Sequence, residues 1–222
     1  MPEIAGLWRY PVKGMAGEAL EDAEVYWHGL TGDRRWAFVR PGLERSDFPW
    51  LTIRERSDLA SFVPRLDGST VIVRTPGGME LDVADPVLAA ALGKGVRVIQ
   101  QNRGVFDTAP LSLISSATVT VLCERAGVAA DPLRFRPNLL VDGVDGFEED
   151  RWVGREVRIG GAVMRVDRRD QRCVVTNVDP ATGARTPAVL RAIAQERDAC
   201  LGVYGTTVTP GRVRVGDPVS RA

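Results

Sequence analysis

Residues Glu156–Gly183 read EVRIGGAVMRVDRRDQRCVVTNVDPATG. Up to Arg169 the stretch sets valines, isoleucine and methionine between charges, which predicts extended chain. Its end, Val178–Gly183, predicts a turn in which Asp179 accepts backbone N–H groups and Gly183 takes positive φ. Between them lies Cys173, behind Arg165, Arg168, Arg169 and Arg172 and ahead of Val174-Val175. Nearby positive charge favours a thiolate, which is a nucleophile, a soft metal ligand or a redox group. An apolar run beside a cysteine suits a small core side chain equally well. The pattern leaves both readings of Cys173 open. Cys123 and Cys200 have no comparable polar setting, so packing is expected for both.

Working outward, most of the chain repeats this theme of short apolar runs broken by glycine, proline and aspartate. IAGLWRYPV predicts a strand that turns near Pro11. ALEDAEVYWHGLTGDRRWAFVRP predicts two strands joined by the Gly29–Arg34 loop. STVIVRTPGGMELDV predicts a hairpin about Pro76-Gly77-Gly78. ADPVLAAALG predicts a short helix capped by Asp85 and stopped at Gly93. RVIQQNRGVFDTAPLSLISS starts extended and is expected to end in a polar loop. In ATVTVLCERAG the β-branched residues favour strand, but the Glu124–Gly127 exit decides for helix. NLLVDG and VRVGDPVSRA read as strands. TPAVLRAIAQER reads as a helix with Pro187 in its first turn and a stripe of Leu190, Ile193 and Ala194. Short strands outnumber helices, so the chain is expected to be mainly β with a few helices (α+β), barrel-like rather than doubly wound. A composition shift over Gly93–Arg103 divides it into lobes of residues 1–96 and 97–222.

The 222 residues suffice for one large or two small domains, with 44% hydrophobic and 26% charged residues. The formal net charge is +0, which argues against nucleic-acid and membrane partners held by backbone or headgroup charge. Three widely spaced cysteines indicate no disulfide framework. The N-terminus has no signal-like apolar core and no apolar run is long enough to span a membrane, so a cytoplasmic home is expected. His28 is the single histidine, and with scattered cysteines it gives no zinc motif. No G-x-S-x-G elbow, dinucleotide fingerprint or P-loop occurs.

Four segments offer anion-binding groups. In RFRPN an extended backbone sets Arg134 and Arg136 on one face, Pro137 biases Arg136 toward that backbone, and Asn138 adds a donor and an acceptor. The alternative is a salt-bridged surface strand. YPVKGMAG joins Lys13 to Gly14 and Gly17, a loop whose N–H groups and ammonium suit phosphate; a solvated turn lysine is the plain alternative. GLTGDRRWAFV places Arg34 and Arg35 behind a glycine loop, with Asp33 near enough to orient one of them. LISSA presents Ser115 and Ser116 as helix cap or anion contact.

The order of GLWRYPVKGMAGEAL, GLTGDRRWAFV, DTAPLSLISSATV, RFRPNLLVDG, QRCVVTNVDPATG and GRVRVGDPV resembles the MOSC-domain proteins, over nearly the whole chain. The likeness is to the class with an N-terminal β-barrel partner domain, which includes amidoxime-reducing components and bacterial reductases of N-hydroxylated bases. It implies a β-barrel-like MOSC domain packed against a smaller β-rich lobe, with a molybdenum cofactor between them. It implies Cys173 as the molybdenum ligand, and Lys13, Gly14, Arg34, Ser115, Ser116, Arg136 and Asn138 as groups holding the pterin and its phosphate. Gly14 stands where the family pattern has serine, and Asp170 where many relatives carry a second cysteine. The expected activity is reduction of small N-hydroxylated compounds. No iron–sulfur cysteine cluster exists, so electrons would come from a separate flavoprotein, ferredoxin-like or cytochrome b5-like donor. His28, Tyr10 and Asp170 are the candidate proton donors. The alternatives are a cofactor or sulfur carrier with a persulfide on Cys173, and a non-enzymatic or pyridoxal-phosphate-binding module using Lys13 or Lys94.

Overall fold

The computed structural model describes residues 1–222. Strands β1 (Glu3–Arg9), β2 (Glu18–Leu20), β3 (Asp22–Tyr26), β4 (Gly29–Leu30), β5 (Trp36–Val39), β6 (Val63–Asp67), β7 (Thr70–Arg74) and β8 (Glu80–Asp82) precede helix α1 (Pro86–Leu92). Then come β9 (Arg97–Gln100), β10 (Leu111–Ser115), helix α2 (Ser116–Ala126), β11 (Leu139–Asp142), β12 (Glu156–Ile159) and β13 (Ala162–Gln171). Helix α3 (Ala188–Arg197), β14 (Cys200–Thr209), β15 (Gly211–Arg214) and β16 (Val219–Arg221) complete the chain.

The largest sheet has eight strands in the order β16-β12-β13-β14-β10-β11-β1-β2, and its end strands β16 and β2 do not pair with each other. The remaining sheets are β15-β3-β4, β5-β9 and β6-β7-β8. The barrel-like, mainly β expectation is therefore corrected. The fold is a mixed α+β one, 21% helix and 37% strand, and no sheet closes into a barrel. The physical reason lies in the middle of the large sheet. β10 and β11 pair in parallel, and α2 is the crossover between them. The α2 face of Thr118, Val119, Leu122 and Cys123 is buried together with Val189, Ala192 and Ile193 of α3. Two helices thus cover one face of an open sheet. Burying a residue such as Leu122 contributes roughly 2 kcal/mol.

The polar-loop expectation for LSLISS hid this arrangement. All five residues of β10 are buried, and its two serines are silent in a pattern reading because each finds a partner. Ser112 N–H and Oγ–H donate to Asn138 Oδ1 at 3.1 Å. Ser115 N–H donates to Glu149 Oε1 at 3.2 Å, and its Oγ accepts from Thr118 N–H at 3.1 Å, capping α2. That cap, with Gly127 at φ 67 closing the helix, overrides the strand propensity of Thr118, Val119, Thr120 and Val121. Elsewhere the local chemistry acts as expected. Asp85 accepts from Val87 N–H at 2.8 Å to start α1, and Gly78 takes φ 86 in the β7–β8 turn. In α3 the buried stripe is Val189, Ala192 and Ile193, not Leu190, Ile193 and Ala194. That stripe packs against α2 and against Ile114 and Leu201 of the large sheet.

Three cores result. One, under the large sheet, mixes Ile4, Leu7, Val25 and Leu30 with Leu113, Val157, Met164 and Val203. A second holds Val12, Met15, Phe38, Leu59, Val71 and Leu88, and Val178 reaches into it from beyond Cys173. The third is the α2–α3 layer. The start of the chain is thus built into the large sheet, and the turn after Cys173 is anchored on the other core. Those crossings bring distant loops to one place.

Candidate active site

That place is a cleft of about 350 Å³. Six cationic side chains line it, Lys13, Arg34, Arg54, Arg134, Arg136 and Arg172, against two acidic ones, Asp107 and Asp170. The zero net charge of the chain therefore conceals a local excess. Not every cation is free. Asp33, fully buried behind the wall, pairs with Arg34, and Asp179 accepts from Arg134 Nη2 at 2.8 Å. Asp107 serves both Lys13 and Arg54. Arg136 has no carboxylate of its own. Its guanidinium lies 4.3 Å from the Tyr10 ring centroid, on a ring that Arg34 approaches at 4.6 Å. Burial pushes Arg136 down to about 10, the nearby Tyr10 opposes that and the nearby Arg34 adds to it.

The backbone explains how two arginines reach one tyrosine. Arg34 has φ 50 and Arg136 φ 53, two of the five non-glycine residues with positive φ. Such backbone costs of order 1 kcal/mol per residue and collects at sites that need a side chain re-aimed. RFRPN is accordingly not extended. Residues Pro132–Phe135 form a 3₁₀ turn with Arg136 left-handed at its end. Arg134 and Arg136 do not share a strand face. Arg134 is buried and holds Asp179 in the turn beyond Cys173, whereas Arg136 is turned into the cleft.

Asp33 is the buried hub. Its Oδ1 accepts from Tyr10 N–H at 2.7 Å, and its Oδ2 accepts from Asn138 Nδ2 at 3.2 Å while pairing with Arg34. Burial opposes the charge on Arg34, but Asp33 and the neighbouring tyrosines raise its pKa above the ordinary value. Asn138 also donates to Trp8 O at 3.1 Å and accepts twice from Ser112. Its amide is fully engaged by protein, so it props the wall and has no bond left for a ligand.

Lys13 is buried, donates to Val105 O at 2.9 Å and pairs with Asp107. Burial lowers its pKa and Asp107 raises it again, with burial the larger effect. Gly14 has φ 84, and a Cβ there would meet Thr52 Cα at 3.2 Å and Leu51 O at 3.3 Å. The glycine that replaces the family's serine thus fits a left-handed, crowded backbone.

Cys173 lines the cleft and is half-buried. Its backbone is extended and its carbonyl accepts from Thr176 N–H at 3.1 Å and Thr176 Oγ–H at 2.9 Å. The arginines nearest in sequence do not supply its charge partner. Arg168 is exposed on β13 and Arg169 pairs with Asp150 and Asp198. Arg172 donates to Leu201 O and Phe135 O. Arg54, the cleft cation that Cys173 influences, has a pKa lowered by burial but raised overall by Asp107 and Cys173.

Six of the eight expected site residues therefore meet at the cleft: Lys13, Gly14, Arg34, Arg136, Asn138 and Cys173. Ser115 and Ser116 do not. Ser115 caps α2 from inside the core and Ser116 Oγ–H donates to Asp142 at 2.6 Å. They sit beyond the cleft because β10 is a strand; Ser112, near the start of that strand, is the serine that lines it. Sequence reasoning missed Arg54, Asp107 and Tyr204. Each lies outside the motif segments or was read only as part of a backbone run, and no periodic signal marks them.

The MOSC domain model matches residues 100–220, and the MOSC N-terminal beta barrel domain model residues 1–108. Human mitochondrial amidoxime reducing component 2 is 34% identical over 98% of this chain and 83% of its own. Human mitochondrial amidoxime-reducing component 1 is 26% identical over 97% and 82%. Molybdenum cofactor sulfurase of Drosophila grimshawi is 28% identical over 99% of this chain, which spans only 32% of that protein. Among solved structures, the YuaD protein of Bacillus subtilis superposes with a TM-score of 0.54 over 99% of this chain and 94% of its own, at 15% identity, and so shares the fold alone. The cytoplasmic expectation is overturned by these relatives, since those matched over most of their own length are named for the mitochondrion. No helix is long and apolar enough to cross a membrane.

Proposed function

This chain belongs to the MOSC-domain family, and from that premise we propose that it is a molybdenum-cofactor-dependent reductase of small N-hydroxylated compounds. The observation that carries the reading is an unpaired guanidinium, Arg136, in the same cleft as a half-open thiol. A cation that burial disfavours and no carboxylate neutralises is built for an anionic ligand. No group of three or more His, Cys, Asp or Glu side chains is placed to hold a metal. One soft thiolate beside an anion cradle therefore suits a metal that arrives with most of its ligands in an anionic organic group.

In this reading Cys173 is the protein's ligand to the metal, with Arg54 compensating its charge. Arg136 and the Lys13–Gly14 loop hold the phosphate. Arg34, fixed by Asp33, would line the pterin's place, and Asn138 keeps that wall in place. The bound cofactor supplies two-electron chemistry between the metal and the substrate oxygen. The chain's own residues orient the anion, narrow the cleft against solvent and deliver protons. Electrons come from a separate donor protein of flavoprotein, ferredoxin-like or cytochrome b5-like type, since the sequence shows no iron–sulfur cysteine motif.

The test is turnover of benzamidoxime by metal-loaded protein with reduced methyl viologen as electron source. Formation of benzamidine in step with donor oxidation is expected, and Cys173→Ala abolishes it while losing most of the molybdenum. A loaded wild type that turns over no amidoxime or hydroxylamine overturns the reading. The sulfur-carrier alternative keeps one support, the match to about a third of a molybdenum cofactor sulfurase. A mass increase of one sulfur on Cys173 after incubation with a persulfide donor would favour it.

A further inference from the structure

We propose that Asp170 hands a proton to the oxygen that leaves during reduction, an assignment that rests on the reductase reading above. Asp170 lies near the end of β13, three residues before Cys173, and lines the same cleft. Its side chain is only 2% exposed. Arg172 Nη1 stands 2.8 Å from Asp170 Oδ2, yet the pair is not aligned for a hydrogen bond and that oxygen has no donor. A buried carboxyl oxygen left without a partner is costly unless it carries a proton or faces a ligand. Tyr204, across the ladder on β14, also lines the cleft, and its hydroxyl lowers the Asp170 pKa.

The other two candidates are engaged elsewhere or lie away from the cleft. Tyr10 is outside its lining and donates its hydroxyl proton to Pro137 O at 3.1 Å. His28 is in the turn between β3 and β4 and is not a lining residue. The groups that face Asp170 act in both directions. Burial pushes its pKa up to about 6; Arg172, Arg34 and the Tyr204 hydroxyl pull it down, and Asp107 pushes it up. The carboxyl is thus poised to hold and release a proton near neutrality, the property that a general acid requires.

The balance is simple. An N–OH group takes up two electrons from the donor protein and two protons, the N–O bond breaks, the oxygen leaves as water and the nitrogen keeps an N–H. Asp170 supplies one proton. Water in the open cleft supplies the second and returns the proton to Asp170.

The test compares metal-loaded wild type, Asp170→Asn and Asp170→Glu. Asp170→Asn is expected to keep its molybdenum and its unfolding temperature, to lose roughly 10²-fold or more in rate, and to lose the fall in rate at rising pH. Asp170→Glu is expected to restore part of the rate with a displaced pH profile. Independently of turnover, carbon-13 NMR of labelled aspartates should show a carboxyl titrating near 6 that disappears in Asp170→Asn. An Asp170→Asn protein that keeps a rate close to that of the wild type, with an unchanged pH profile, overturns the proposal while the reductase reading stands. So does loss of molybdenum in that variant, since the carboxylate would then be holding the site. A loaded wild type without turnover overturns both.

Discussion

Replacing Arg136 by methionine should raise stability while destroying anion affinity, and the two effects can be sized from the structure. The main-chain carbonyl of Arg136 accepts from Arg34 and Ser112, and those bonds survive the substitution. What is lost is a half-buried cation without a carboxylate. A pKa brought down to about 10 corresponds to roughly 3 kcal/mol acting against the charged form. Removing the charge also removes the stacking on Tyr10, worth about 1–2 kcal/mol. Methionine has similar length and fills the same irregular space. Arg136→Met in cofactor-free protein is therefore expected to be between equal to wild type and about 2 kcal/mol more stable in urea unfolding. Inorganic pyrophosphate provides the second arm. At ten times its Kd it should stabilise the wild type by about 1.4 kcal/mol. The variant, lacking a charge-assisted bond worth about 1.5–3 kcal/mol, should bind it roughly 10- to 100-fold more weakly. A variant destabilised by more than about 2 kcal/mol that still responds to pyrophosphate would falsify the idea that this guanidinium awaits an anion.

Three further outcomes follow from the same geometry. Ser115→Ala removes the α2 cap and should cost about 1 kcal/mol in chemical unfolding, with molybdenum content unchanged; loss of the metal would return Ser115 to the site. Asn138→Ala leaves Ser112 and the Asp33 hub short of partners and should cost about 2–4 kcal/mol; a cost below about 0.5 kcal/mol would contradict its propping role. The stability of cofactor-free protein should fall as pH rises from about 4 to about 6, because folded Asp170, raised to about 6, binds its proton more tightly there than the unfolded chain does. Asp170→Asn should flatten that slope, and an identical slope in both proteins would remove Asp170 as its source.

Local chemistry was legible wherever the deciding groups are neighbours in sequence. Asp85 and Gly93 bound α1, Pro76-Gly77-Gly78 turns the β7–β8 hairpin, and Asp179 with Gly183 closes the loop beyond Cys173. Legibility failed where a polar residue is satisfied from afar. Ser112 and Ser115 made a buried strand look like a loop, and the strand count behind the expected barrel could not show whether the end strands pair. In the same way Pro137 argued for an extended Arg136, but the left-handed turn is held by contacts with Arg34 and Ser112 from other parts of the chain.

By itself the sequence determined the strand-rich composition, the helix ends and the segments that carry anion-binding groups, because caps, turns and periodicity act within a few residues. The tertiary structure alone decided which of those groups are free. It committed Arg134 to Asp179 and Asn138 to Asp33 and Ser112. It left Arg136 without a carboxylate and one buried oxygen of Asp170 without a hydrogen-bond donor. Charge and hydrogen bonding are settled by distance in space, and the residues that settle them here lie far apart along the chain.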